Sequence, residues 1–200
     1  MQNILYNLDG KLYINLTNRC PCRCTFCIRF SEQGVGTDDS LWLDNEPDFP
    51  EVRKALEETD LTGFREVVFC GYGEPFCALD VMLATMRYLR DRTHLRIRVD
   101  TNGLGDLIQK KKTARLLRGL CDSISISLNA PDAESYQRFC RPEYGERSYA
   151  AVLDFISDCN EVVPEIILTV VDLLSPGEIE KCREIARQRG VPLKIRSFIK

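Results

Sequence analysis

Three cysteines spaced CxxxCxxC, Cys20, Cys24 and Cys27, stand in the stretch Thr17-Asn-Arg-Cys20-Pro-Cys22-Arg-Cys24-Thr-Phe26-Cys27. Thiolates are soft metal ligands, and three on one loop can hold three irons of a [4Fe–4S] cluster, which normally takes four cysteines. The fourth iron then stays open to an outside ligand, and catalysis can begin at that opening. Cys22, inside the same loop, would make a fourth thiolate for zinc. Residues two apart do not easily face one metal, and structural zinc sites usually bring ligand pairs from two separate loops. The spacing therefore favours iron–sulfur.

Other polar groups recur at regular intervals downstream. Cys70-Gly-Tyr-Gly-Glu74-Pro75 offers two glycines for close backbone approach and a carboxylate beside them. Asp100-Thr-Asn-Gly103 and Ser127-Leu-Asn129 follow. Each is ordinary alone, a turn or a helix cap. Among other reactive types, His94 reads as surface, residues 110–112 (Lys-Lys-Lys) as the wet face of a helix, and Arg87, Arg90 and Arg92 likewise. Arg98 points to the polar side of its strand, toward substrate. Trp42 is expected to pack on the barrel. Cys70, Cys77, Cys121, Cys140, Cys159 and Cys182 are scattered and read as small core residues, with Cys140 in Phe-Cys-Arg-Pro the candidate for a substrate-side role.

The elements that must position these groups alternate between strand and helix patterns. An Asp9-Gly10 turn joins two alternating arms, NILYNL and KLYINL, as a two-residue hairpin. A polar loop runs over residues 29–47. Strands are then expected at residues 65–70, 94–100, 122–129, 165–171 and 193–196. Helices are expected at residues 51–59, 79–91, 106–119, 132–140, 147–160 and from the Ser175/Glu178 capping box to Gly190. Such alternation predicts a parallel sheet with right-handed crossovers. Leu95, Ile97 and Val99 oppose Arg96, Arg98 and Asp100, and Ile124, Ile126 and Leu128 oppose Ser123, Ser125, Ser127 and Asn129. Strands of a doubly wound sheet, buried on both faces, read as continuous apolar runs. Alternation instead predicts an α/β fold of the partial (β/α)6, TIM-like barrel type with a polar interior, preceded by a short N-terminal β-hairpin arm. The motifs then fall at the C-terminal ends of consecutive strands, where βα folds keep their sites.

The 200 residues, 44% hydrophobic and 28% charged, fit one globular domain over 1–200 and exclude wholesale disorder. A net charge of −3 gives no global basic field for nucleic acid, and no run is apolar enough to span a membrane. Ten cysteines without an export signal point to metal or redox chemistry in a reducing cytoplasm.

The three-cysteine loop with Phe26 before its last cysteine, followed by a Gly-Glu-Pro loop, resembles the radical SAM superfamily. Asn18-Arg-Cys20, Ser40-Leu-Trp42-Leu43, Gly71-Tyr-Gly-Glu-Pro75, Thr101-Asn-Gly103, Ser125-Ile-Ser-Leu-Asn-Ala-Pro-Asp132 and Cys140-Arg-Pro142 are similar to the small radical SAM proteins associated with TatD-type nucleases. The resemblance implies a [4Fe–4S] cluster on Cys20, Cys24 and Cys27, with S-adenosylmethionine (SAM) chelating the open iron. Glu74 and the Gly73 backbone would take the methionine ammonium, and Phe26 would lie near the adenine. Ser125, Ser127 and Asn129 would serve the ribose and carboxylate, with Thr169 and Arg196 as further candidates. It also implies a low-potential electron donor of flavodoxin or ferredoxin type and a functional link to a TatD-type nuclease. The usual Gly-Gly-Glu is Tyr72-Gly73-Glu74 here. Cys22 falls outside the ligand pattern and reads as a free thiol, and nothing after the sixth parallel strand provides an auxiliary-cluster domain. The alternatives are an activase that makes a radical on a partner protein, and a non-catalytic zinc or iron–sulfur module.

Overall fold

A computed structural model of the chain describes residues 3–30 and 40–199. Asp9 (φ 51°) and Gly10 (φ 71°) both adopt the left-handed conformation that a two-residue hairpin turn demands. They join β1 (Leu5–Leu8) to β2 (Lys11–Ile14) with Leu8 opposite Lys11. The sheet continues with β3 (Glu66–Phe69), β4 (Arg96–Thr101), β5 (Ser123–Ser127), β6 (Glu165–Val171) and β7 (Leu193–Arg196), in simple sequential order. From β2 onward every pairing is parallel.

Sequential order and right-handed crossovers together place all the connecting helices on one face. These are α1 (Phe49–Glu57), α2 (Leu79–Arg92), α3 (Gly105–Gln109), α4 (Ala133–Cys140), α5 (Arg147–Asn160) and α6 (Pro176–Gln188). The sheet stays unclosed, with β1 and β7 as its edges, which makes the fold the expected partial barrel with a hairpin arm. Leu12, Ile14, Val67, Phe69, Ile97, Val99, Ile124, Ile126, Leu168 and Val170 form the buried helix side of the strands. The inward side is the polar one: Tyr13, Val68, Arg98 and Ser123 share one row, and Asp100, Ser125 and Ile167 the next. Helix starts follow the sequence signals closely. Asp48 with Glu51, and Ser175 with Glu178, form reciprocal capping boxes, and Asp132 caps α4 through Ser135 N.

The long polar loop is described in part, and one helix departs from expectation. In the loop over residues 29–47, a single 3₁₀ turn (Ile28–Phe30) opens the segment, and residues 31–39, with Gly34 and Gly36, lie outside the described residues. The helix expected at 106–119 is broken: α3 stops at Gln109, Lys110 turns left-handed (φ 53°), and a 3₁₀ turn follows at Ala114–Leu117. A side chain causes the break. Asp106 Oδ1 accepts hydrogen bonds from Thr113 N (2.8 Å) and Thr113 Oγ1 (2.9 Å), pulling the chain back on itself seven residues later. Gly105 anchors the other end of this turn, since a Cβ there would stand 2.6 Å from the Phe76 ring.

Thr113 is fully buried, so losing its acceptor leaves a donor pair unpaired in the core. Asp106→Ala is therefore expected to lower stability by about 1–3 kcal/mol, read as a lower urea midpoint at unchanged slope. An unchanged midpoint would show that the turn is held by packing alone.

Candidate functional site

The loop leaving β2 carries Cys20, Cys24 and Cys27, all half-buried and all at the C-terminal rim. It is not free-standing. Cys22 forms an antiparallel bridge with Pro142, Arg23 N donates to Cys140 O (3.0 Å), Thr25 N to Phe139 O (2.9 Å) and Glu143 N to Pro21 O (2.9 Å). The segment after α4 thus serves as a short strand for the cysteine loop. Cys22 is buried at 3% exposure, where the sequence suggested only a free thiol. Asn102 Nδ2 lies 3.8 Å from its sulfur, and the register of the loop sets Cys24 opposite Cys140. The neighbouring thiols, Cys140 first and Cys22 next, lower the pKa of Cys24, the direction that favours a ligating thiolate. Cys20 is also lowered, by Cys22, whereas burial pushes Cys27 up.

The loop after β3 packs directly onto this one. A Cβ at Gly73 would stand 2.2 Å from Thr17 O and 2.7 Å from Arg19 O, so only glycine permits the approach. Glu74 N donates to Arg19 O (2.8 Å), and the Arg19 guanidinium reaches Cys77 O (2.9 Å) and pairs with Glu46 (2.6 Å). Asn18 pairs its side-chain amide with both backbone groups of Leu43 (2.7 and 3.1 Å), and Asn15 Nδ2 donates to Leu41 O (2.7 Å). Leu41 and Leu43 do the burying there. Trp42 instead stands 45% exposed, its ring edge-on to Tyr72 at 5.2 Å, so it lies over the site loop rather than in the core.

Glu74 is 3% exposed, and its carboxylate is fully engaged by protein donors. Thr101 Oγ1 (2.7 Å) and Phe76 N (3.3 Å) donate to Oε1, and Asn102 N (2.7 Å) to Oε2. Burial outweighs these bonds and raises its pKa to about 7. Asn102 Nδ2 in turn lies 3.7 Å from Cys20 Sγ. The sequence placed Thr101 and Asn102 at the rim in their Asp-Thr-Asn-Gly motif. Their pairing with Glu74 is a tertiary fact that no local pattern carries.

At the ends of β5 and β6, Asn129 N donates to Thr169 O (3.2 Å). Asn129 Oδ1 and Thr169 Oγ1 are buried with no partner among the described residues, and Asn129 holds a left-handed backbone (φ 58°). Ser125 and Ser127 are half-buried on the same inward face. Phe26 packs partly buried at the edge of the core. Arg196 is exposed on the edge strand, in register with Val171. Arg98 is already paired, with Asp100 (3.0 Å), Glu66 (3.4 Å) and Tyr13 Oη (3.4 Å), and Lys11 closes the set on Glu66 (2.7 Å). His94 is exposed, as expected, and residues 110–112 are exposed in the turn that breaks the expected helix rather than on a helix face.

The donor chemistry fits a cluster. Among the described residues, no three His, Cys, Asp or Glu side chains converge on a point one ion could occupy. Cluster ligands need no such convergence, because each thiolate takes a separate iron. The buried, unpartnered oxygens of Asn129 and Thr169 fit a polar ligand beside that loop.

Fold and site together define a partial-barrel α/β protein with a three-thiolate loop at its C-terminal rim. A family model described as the radical SAM superfamily matches residues 14–188, and the chain belongs to that superfamily. The chain is 26% identical over 198 residues to a probable GTP 3′,8-cyclase of Thermococcus kodakarensis, covering 96% of this chain and 59% of that protein. It is 33% identical over 137 residues to a GTP 3′,8-cyclase of Corynebacterium glutamicum, covering 65% and 33% respectively. This chain therefore spans between a third and three-fifths of these relatives. Among solved structures, Streptococcus suis SuiB bound to S-adenosylmethionine shares the fold at a TM-score of 0.69 and 17% identity, covering 94% of this chain and 39% of that one.

The raised Glu74 pKa has a sign that can be measured. A carboxyl whose folded value lies above its ordinary 4.5 contributes most stability below that value and loses it as pH rises to about 7. Glu74→Gln cannot titrate. The stability gap between wild type and Glu74→Gln is expected to shift in favour of the variant as pH rises from about 4.5 to 7, read by urea unfolding along a pH series. A gap independent of pH would contradict a carboxyl whose hydrogen bonds only partly offset its burial.

Proposed function

We propose that the chain is a radical SAM enzyme holding a [4Fe–4S] cluster on Cys20, Cys24 and Cys27, with SAM across the rim beside it. The observation that carries this reading is the interlocked pair of loops, in which Gly73 and Glu74 are set against the backbone of the cysteine loop. When bound, cluster and SAM supply a one-electron cleavage of the sulfonium to methionine and a 5′-deoxyadenosyl radical, which abstracts hydrogen from substrate.

The chain's own residues divide the remaining work. Glu74 offers a buried negative charge beside the Gly73 backbone for the methionine ammonium, and a cation there would favour its ionised form. Phe26 lies on the cysteine loop itself, where an aromatic face suits the adenine. Ser125, Ser127 and Asn129 offer hydroxyl and amide groups to ribose and carboxylate, Thr169 a hydroxyl, and Arg196 a cation at the open edge. Arg98 is better read as part of an ion network, because Glu66 and Asp100 occupy it. The electron comes from a low-potential donor of flavodoxin or ferredoxin type. The motif strings around Ser125 and Cys140 support a place among the TatD-nuclease-associated radical SAM proteins, with a functional link to such a nuclease. All ten cysteines are free thiols, which suits a cytoplasmic protein.

Anaerobic reconstitution tests the ligand set. About four irons per chain are expected in wild type and in Cys22→Ala, and a loss of the cluster in each of Cys20→Ala, Cys24→Ala and Cys27→Ala. In the same preparations Glu74→Gln is expected to retain iron and bind SAM roughly tenfold more weakly, the scale of one charge-assisted bond. Iron lost in Cys22→Ala and retained in Cys27→Ala would overturn the assignment.

A further inference from the structure

Behind the cysteine loop lies a sulfur that the proposed reaction does not use. Cys140, the last residue of α4, is 0% exposed. The bridge between Cys22 and Pro142 and the bond from Thr25 N to Phe139 O set an antiparallel register, and in that register Cys140 faces Cys24. Asn129 Nδ2 donates to Cys140 Sγ at 3.6 Å. A thiol has one proton to give, and with its sulfur serving as acceptor toward Asn129, that proton is free for the neighbouring sulfur. Directly opposed residues of an antiparallel pair carry their side chains on the same side, about 4.5–5.5 Å apart at Cβ, so the Cys140 thiol lies beside that of Cys24. Packing alone does not require this arrangement. Cys182 is also 0% exposed and fills core space, with no side-chain donor on its sulfur among the described residues comparable to Asn129 on Cys140.

We propose that Cys140 is a positioning residue that donates a hydrogen bond to the Cys24 thiolate and thereby raises the reduction potential of the cluster held there. The inference rests on the cluster reading above. Its physics is that of any hydrogen bond to a ligating sulfur: the bond withdraws negative charge, and the reduced cluster, carrying one more electron, gains more from it than the oxidised one. Asn129 fixes the direction of the donor, so the bond ties the end of β5 to the cysteine loop.

The test is a dye-mediated redox titration of the reconstituted protein, followed by the electron-paramagnetic-resonance signal of the reduced cluster. Four proteins are compared: wild type, Cys140→Ala, Cys140→Ser and Cys182→Ala. Cys140→Ala is expected to lower the reduced-to-oxidised ratio at a fixed ambient potential about tenfold, a shift of about 59 mV to the negative for one electron. Cys140→Ser keeps a proton donor and is expected to stay within about twofold of wild type, as is Cys182→Ala. Should Cys140→Ala retain no iron, Cys140→Ser decides alone, and it must hold the cluster near the wild-type potential. A wild-type potential in Cys140→Ala, or a shift in Cys140→Ser as large as that of Cys140→Ala, overturns the proposal. A wild-type protein that holds no cluster overturns the reading beneath it instead.

Discussion

A carboxylate buried without a charged partner holds this rim together. Ionised, Glu74 would be costly in the interior, and three protein donors, Thr101 Oγ1, Asn102 N and Phe76 N, meet it. Those donors come from two different loops, so a single side chain ties the end of β3 to the end of β4. Its own backbone N–H reaches Arg19 O on the cysteine loop, and the adjacent Gly73 admits that loop to within backbone contact. Three consecutive strand ends are thereby fixed relative to one another. The compensation is incomplete, and the residual cost appears as a pKa near 7. A site that bound a cation at this carboxylate would recover that cost.

The cysteine loop is braced from the other side by the segment that follows α4. Its bridge at Cys22 and Pro142 explains why Arg141 takes a left-handed conformation (φ 45°): α4 must stop abruptly at Cys140 for the chain to run back along the loop. The reactive loop therefore sits between two supports, neither of which is a regular element. Precision in such a site comes from backbone bonds and close glycine contacts rather than from helix or strand packing. Deeper in the barrel, the set Lys11, Glu66, Arg98 and Asp100 is an ion-pair chain in partly buried surroundings, with neighbouring charges satisfied by each other.

Most of the architecture was legible in the sequence because its signals are local. The Asp9-Gly10 turn, the Ser175 and Glu178 capping box and the alternation in 122–129 each state their own geometry, and β6, β7 and α5 fall within their expected limits. The helix expected at 106–119 failed for a tertiary reason, since the bond from Thr113 to Asp106 competes with helix continuation and wins. At the site, residue types at strand ends pointed to the rim, but not to which group meets which. Nothing in the motifs says that Glu74 faces Asn102, that Cys22 is buried, or that Cys140 lies opposite Cys24. Trp42 was expected to pack on the barrel, whereas its neighbours Leu41 and Leu43 are the buried ones and leave it over Tyr72.

In the proposed reading, the three-thiolate loop and the Gly73–Glu74 loop form one reaction centre. Chromatography of the reduced protein with SAM tests it without knowledge of the substrate. Reconstituted wild type, given dithionite or a reduced flavodoxin, is expected to form 5′-deoxyadenosine and methionine in equal amounts, and Cys24→Ala to form neither. Wild-type protein that carries its iron and binds SAM, yet yields no 5′-deoxyadenosine with either donor, would contradict the account.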